Sequence, residues 1–149
     1  MDPKSLARDF REFLRSLNDH GVEYLVIGGH AVAFHGYPRA TADLDVWVGV
    51  HPDNAARLVK ALREFGFDLP ELNIDLFLRP DRIIRMGVPP NRIEIQTGID
   101  GVNFADCRPR GIDSELDGLR IPFISLADLK ANKRASGRNK DLADLDYLP

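Results

Sequence analysis

Asp43 and Asp45 stand two residues apart at the head of the apolar run 44–48. If that run is a strand, alternation puts both carboxylates on one face. Neighbouring carboxylates repel one another and gain nothing from an apolar core. Two readings account for them. A hard divalent cation resolves the repulsion, and magnesium is commonly held by one or two carboxylates together with substrate phosphates. Alternatively, the pair lies in water at a strand end. Glu94 is a third candidate; it alternates with Ile93 and Ile95 and so faces away from them. Such a carboxylate serves either as a ligand or as the wet side of a strand. The tetrapeptide Ala42-Asp43-Leu44-Asp45 recurs as Ala143-Asp144-Leu145-Asp146. There the leucines have helical spacing, and residues two apart on a helix diverge by about 200°. Asp144 and Asp146 are therefore expected on a solvated helix face, unable to share an ion.

Groups that meet anions lie near these acids in sequence. Gly28-Gly29 separates a strand-like stretch from a helix-like one. Glycine admits close approach to the backbone, and a helix start offers free N–H groups to an anion; a plain turn is the alternative. His30 follows directly and is placed to face a nucleotide, whereas His35 reads as structural. Arg39 and Thr41 precede the Asp pair in Pro38-Arg39-Ala40-Thr41, a loop suited equally to a phosphate or to solvent. Residues 129–140 hold five basic side chains and no acid: Lys130, Lys133, Arg134, Arg138 and Lys140. Lys130, Lys133 and Arg134 share a helix face by their spacing. That face suits a triphosphate or RNA backbone, or simply solvent and the helix dipole. Lys133 is the preferred phosphate contact; Arg138 either joins it or pairs with Asp141 to pin the last helix. Trp47 and Phe34 read as core. Cys107 is the single cysteine, so it makes no internal disulfide and no cysteine zinc site, and it reads as an ordinary reduced thiol.

The elements that must position these groups follow from periodicity. Leu6, Phe10, Phe13, Leu14 and Leu17 form one helical face, with Pro3 in the first turn and Gly21 as a stop. Strands are expected at 22–27, 44–48, 82–86 and 92–97. Asp117-Gly118 turns a hairpin between 112–116 and 119–124. Helices are expected at 30–35, from His51-Pro52-Asp53 towards Gly66, from Ser125 through Ala135, and in a short final stretch near 141–148; 69–80 is ambiguous. This order predicts an α/β (α+β) domain with a mixed sheet. The 149 residues suit one domain, 1–149. The net charge of -3 excludes a generally basic nucleic-acid binder, although it conceals the basic stretch 129–140. No apolar run approaches the ~18 residues of a membrane span, and Met-Asp-Pro-Lys-Ser lacks a signal-peptide layout. The expectation is a soluble cytoplasmic protein with no membrane partner.

The combination is more specific than its parts. A glycine pair, a 13-residue gap, Asp-apolar-Asp-apolar and a later apolar-Glu-apolar strand resemble the nucleotidyltransferase superfamily with the DNA polymerase β-type catalytic core. The motifs span 22–97. Segment 129–141 resembles the tail of the small prokaryotic branch related to abortive-infection and toxin–antitoxin nucleotidyltransferases. The resemblance implies a minimal nucleotidyltransferase fold, a mixed β-sheet flanked by helices. It implies that Asp43, Asp45 and Glu94 are catalytic and hold Mg2+, or Mn2+. It implies nucleotide binding by Gly28, Gly29, His30, Arg39, Thr41, Lys133 and Arg138. The reaction implied is attack of a hydroxyl on the α-phosphate of a nucleoside triphosphate with release of pyrophosphate, two metals stabilising the attacking and leaving oxygens. Two positions depart from the pattern: His30 stands where many members have serine, and Glu94 where aspartate is usual. The extra methylene moves a ligand by about an ångström, a displacement that can cost roughly 100-fold in rate.

Two functions remain in view. One is a metal-dependent nucleotidyltransferase acting on an RNA or tRNA end, a protein or a small molecule, with a homodimer or partner protein completing the acceptor site. The other is a non-catalytic, antitoxin-like module binding a nucleotide or partner on the same fold.

Overall fold

Phe10, Phe13, Leu14 and Leu17 recur at helical spacing and are buried along one side of α1 (Arg8–Asp19). This helix opens a computed structural model that describes residues 6–88 and 90–149; the expected place of Pro3 lies outside the described residues. Gly21 takes a φ of 68°, and the Val22 N–H closes onto the Leu17 carbonyl at 3.0 Å. Val22 is thereby spent on ending the helix, so β1 is Tyr24–Ile27, two residues shorter than its apolar run.

The other strands are β2 (Asp43–Val48), β3 (Ile83–Met86), β4 (Arg92–Gln96), β5 (Ile112–Leu116) and β6 (Leu119–Phe123), in the sheet order β3-β4-β2-β1-β6-β5. β2 runs antiparallel to β1 and parallel to β4, and β1 is parallel to β6. The outer hairpins β3–β4 and β5–β6 are antiparallel. The sheet is therefore mixed, as expected. Leu44, Val46 and Val48 alternate with outward residues of β2 and are fully buried. With Tyr24, Val26, Ile93 and Ile95 they form the apolar face, on which Leu14 of α1 lies beside Val26 and Leu44. Asp43, Asp45, Arg92 and Glu94 consequently project from the opposite face.

The remaining helices are α2 (Gly28–Phe34), α3 (Pro52–Phe65), α4 (Phe104–Arg110), α5 (Leu126–Ser136) and α6 (Asn139–Tyr147), with a 3-10 turn at Ile74–Phe77. α2 begins at the glycine pair itself. His51 caps α3, its Nδ1 accepting the Asn54 N–H at 3.3 Å. Buried Asn54 then joins the segment before β1 to the segment after β2. Its Nδ2 donates to the Glu23 and Gly49 carbonyls, and its Oδ1 accepts the Glu23 N–H. Ser125 caps α5, and Gly137 ends it at a φ of 63°. α4 escapes periodicity because it has seven residues, one of them Pro109, and buries only Cys107. Its start is legible only as the cap of Asn103 on the Asp106 N–H, at 2.9 Å.

The orientation of α6 corrects the sequence expectation. Leu142 is 45% exposed, whereas Asp141 and Asp144 are each 3% exposed. Charge pairing, not the leucine pattern, chooses the inward face. Among the described residues, no helix is long and apolar enough to cross a membrane.

Candidate functional site

Strand register brings the acids together. Parallel pairing of β2 with β4 sets Asp43 opposite Arg92 and Asp45 opposite Glu94, and the β3–β4 pairing sets Arg85 opposite Glu94. Arg92 grips Asp43 with two hydrogen bonds, Nε to Oδ1 at 3.2 Å and Nη2 to Oδ2 at 2.8 Å. Glu94 accepts from Arg85 Nε at 3.0 Å, with Arg92 Nη2 at 3.6 Å. Asp45 makes no ion pair among the described residues. Its burial, its hydrogen-bond contact with Glu94, and the charges of Glu94 and Asp43 push its carboxyl up to about 7, opposed by Lys140. At neutral pH Asp45 therefore holds a proton part of the time.

The glycines are explained by what crosses them. Gly28 has a φ of 67°, and a Cβ there would overlap the Asp45 carboxylate. Any other residue would be strained and would displace the acid. A Cβ on Gly29 would lie 2.6 Å from Thr41 Oγ1. Thr41 in turn donates to the Asp43 carbonyl at 3.2 Å, fixing the start of β2.

A cavity of about 520 Å³ opens in front of the carboxylates, and its wall includes Gly28, Gly29, Arg39, Asp43, Asp45, Glu94, Lys133, Arg138 and Lys140. Every site residue named from the sequence is there except His30 and Thr41. Three of the basic residues are engaged by α6. Lys133 is buried and pairs with Asp141 at 3.1 Å and Asp144 at 3.0 Å. Arg39 holds Asp144 through two bonds of 3.0 Å, and Arg138 donates to Asp141 at 2.8 Å. The Ser136 hydroxyl also donates to Asp141. Burial pushes the Asp141 carboxyl up, but the bonds from Ser136, Arg138 and Lys133 outweigh it and hold it at about 2. Asp144 is thus not on a solvated face, while its neighbour Asp146 is exposed. Lys133 also leaves the face it was expected to share with Lys130 and Arg134, because α5 turns it inward onto α6.

Some expected contacts are not formed. His30 is buried on the core side, its ring edge-on to Phe10 at 5.7 Å. Burial lowers its pKa to about 4, so it is neutral. Thr41 stands behind Gly29, outside the cavity wall. His35 is structural, its Nε2 lying 2.7 Å from the Ile124 carbonyl. Cys107 is buried, and its thiol is pushed up to about 11 by that burial and by Asp128. Sequence reasoning missed Arg85 and Arg92. The alternation of Arg92 with Glu94 placed both on one face, but their distance from Asp43 depended on strand pairing. It also missed Asp81, Asp100, Asn132 and Ser136 at the cavity rim, which come from separate segments.

Among the described residues no group of three His, Cys, Asp or Glu side chains is already converged to hold a metal ion. Asp43 is turned to Arg92 and Glu94 to Arg85 instead. The donor set is nonetheless all oxygen, on one face, and Asp45–Glu94 lacks a full counter-charge. That chemistry fits a hard cation once Arg92, a flexible and part-exposed side chain, turns aside.

No protein-family profile matches the chain, and no curated protein sequence does. Solved structures do match in fold. A candidate nucleotidyltransferase from Thermotoga maritima aligns at a TM-score of 0.62 and 17% identity, over 98% of this chain and 92% of that one. An antigenic nucleotidyltransferase-like protein from Paracoccidioides brasiliensis aligns at 0.52 and 16%, over 95% and 74%. The chain therefore has a nucleotidyltransferase-like fold.

Proposed function

We propose that the chain is a metal-dependent nucleotidyltransferase, moving a nucleoside monophosphate from a triphosphate to a hydroxyl. The observation that carries this reading is one cavity in which Asp43, Asp45 and Glu94 share a sheet face with Gly28, Gly29 and a basic rim. Asp43, Asp45 and Glu94 would hold Mg2+, or Mn2+. When bound, such an ion supplies Lewis-acid stabilisation of charge on the transferring phosphate. Lys140 and Arg138 lie at the exposed rim and meet the phosphates, while Lys133 and Arg39 fix α6 behind them. As the acceptor oxygen bonds to the α-phosphorus, its proton passes to Glu94. The bond from that phosphorus to the bridging oxygen breaks, and pyrophosphate leaves with the electron pair. The acceptor is RNA or tRNA, a protein or a small molecule, with a second copy or partner protein completing its site. Kinship with toxin–antitoxin enzymes belongs to the same reading and rests on the sequence resemblance.

Calorimetric titration with each nucleoside triphosphate, with and without Mg2+, tests the site. Metal-dependent binding that disappears in Asp43→Asn/Asp45→Asn supports it, and transfer of labelled nucleotide onto RNA, protein or small-molecule fractions establishes the reaction. The second reading is a non-catalytic nucleotide- or partner-binding module. It is favoured by Arg92 and Arg85, which already neutralise Asp43 and Glu94. Nucleotide binding indifferent to metal and to the double variant, with no transfer to any fraction, selects it.

A further inference from the structure

Beside the carboxylate cavity lies a larger one, of about 760 Å³, within the ~300–1,000 Å³ usual for small-molecule sites. Trp47 forms part of its wall, two residues beyond Asp45 on the same face of β2, and Phe104 meets the indole edge-on at 5.3 Å. Ile99 and Val102 make the lining mostly apolar. The two cavities share Asp81, Gly98 and Ile99. A Cβ on Gly98 would overlap the Asp81 carboxylate, so where the cavities meet Asp81 packs directly on the Gly98 backbone.

The polar groups of this wall are unbalanced. Among the described residues three buried side-chain nitrogens lack a hydrogen-bond partner, and two of them, Trp47 Nε1 and Arg108 Nε, belong to this lining. A buried donor left unpaired is unfavourable, so a ligand supplying acceptors there gains what the free protein forgoes. Of the two acids in this wall, Glu23 is occupied by His51 at 3.0 Å, and Asp81 lies at the edge shared with the carboxylate cavity, against Gly98. Arg108 makes no ion pair among the described residues.

We infer that this cavity binds a small flat aromatic molecule bearing an anionic group, the ring lying among Trp47, Phe104 and Ile99 and the anion meeting Arg108. The molecule is the acceptor, its hydroxyl reaching past Gly98 towards Glu94; this role rests on the nucleotidyl-transfer reading, whereas the binding does not. Attack by that hydroxyl is the step already balanced: an oxygen–phosphorus bond forms, the bond to pyrophosphate breaks, and the proton goes to Glu94.

Trp47 is the single tryptophan, so its emission reports occupancy without nucleotide, metal or activity. The probes are 4-hydroxyphenylacetate, phenyl phosphate and the neutral 4-hydroxyphenylacetamide, excited at the red edge of tryptophan absorption. Saturable change is expected with the anions, about tenfold tighter than with the amide, the worth of one charged hydrogen bond. The stronger of carboxylate and phosphate identifies the anion. Arg108→Met should remove that tenfold preference and leave amide binding alone. Ala105→Phe, at an exposed position of the rim, should block all three. Unmoved emission with every probe overturns the inference. So does equal binding of anion and amide, or anion binding unchanged in Arg108→Met. Saturable binding in the absence of nucleotide transfer to the hydroxyl-bearing probe would overturn the acceptor role. Triphosphate binding at the carboxylates, read by calorimetry without any probe, separates failure of this inference from failure of the catalytic reading.

Discussion

Replacing Asp45 by Asn should make the metal-free protein more stable, although it removes a proposed ligand. Burial and the charges of Glu94 and Asp43 raise this carboxyl from 3.8 to about 7. A raised pKa means that the folded state holds the proton more tightly than the unfolded one. The contribution of this one group to stability is therefore fully present below pH 4 and is lost as pH rises through 7. The displacement corresponds to a ceiling of roughly 4 kcal/mol. Local relaxation and the screening of an effective dielectric well above that of a dry interior reduce this to about 1–3 kcal/mol. Asn carries no charge, and its amide can donate to Glu94. The gain in Asp45→Asn should therefore grow between pH 4 and 7 and level off above. In thermal unfolding at pH 8 it amounts to a rise in Tm of roughly 3–10 °C. Added Mg2+ should stabilise the wild type and leave the variant unmoved. A variant less stable than wild type at pH 8, or a difference independent of pH, would refute the account of crowded carboxylates.

Asp141→Ala should destabilise by about 3–5 kcal/mol, because it breaks a buried ion pair, whereas Arg138→Ala should cost under about 1 kcal/mol, its side chain being 77% exposed; chemical denaturation measures both. Since the Asp141 carboxyl is held at about 2, its stabilisation is present above the ordinary carboxylate range near pH 4 and is lost as pH falls towards 2, visible as acid unfolding absent from the Ala variant. Gly28→Ala should lower stability by more than Gly118→Ala. Both glycines have positive φ, but a Cβ meets nothing within 4 Å at Gly118 and overlaps Asp45 at Gly28, and a crystal structure of Gly28→Ala should find Asp45 displaced. Cys107, buried with its thiol pushed up to about 11, should resist a thiol reagent in the native protein and react at once in denaturant.

What was legible in the residues came from short-range physics. Alternation put Asp43 with Asp45 on one strand face, and Glu94 on the face away from Ile93 and Ile95. Turn and cap chemistry marked Gly21, Gly66, Asp117-Gly118, Ser125 and Gly137, because each reflects the backbone of its own few residues. The mixed sheet and most of its strands followed. The failures have one cause. α6 carries leucines at helical spacing, yet Asp141 and Asp144 turn inward because Lys133 of the preceding helix and Arg39, remote in sequence, wait there. His30 follows the glycines but lies against Phe10, since α2 rotates it into the core.

The sequence alone determined the inventory: three carboxylates on apolar strands, a glycine pair that lets an acid approach the backbone, and a basic segment near the end. Tertiary structure decided which of them meet. The parallel register of β2 on β4, set by long-range pairing that no local pattern encodes, put Asp45 beside Glu94 and Arg92 onto Asp43. The packing of α6 on α5 consumed the charge of Lys133. Trp47 is core, as its type predicted, and the placement of α4 against it opened a second cavity that no local pattern marked.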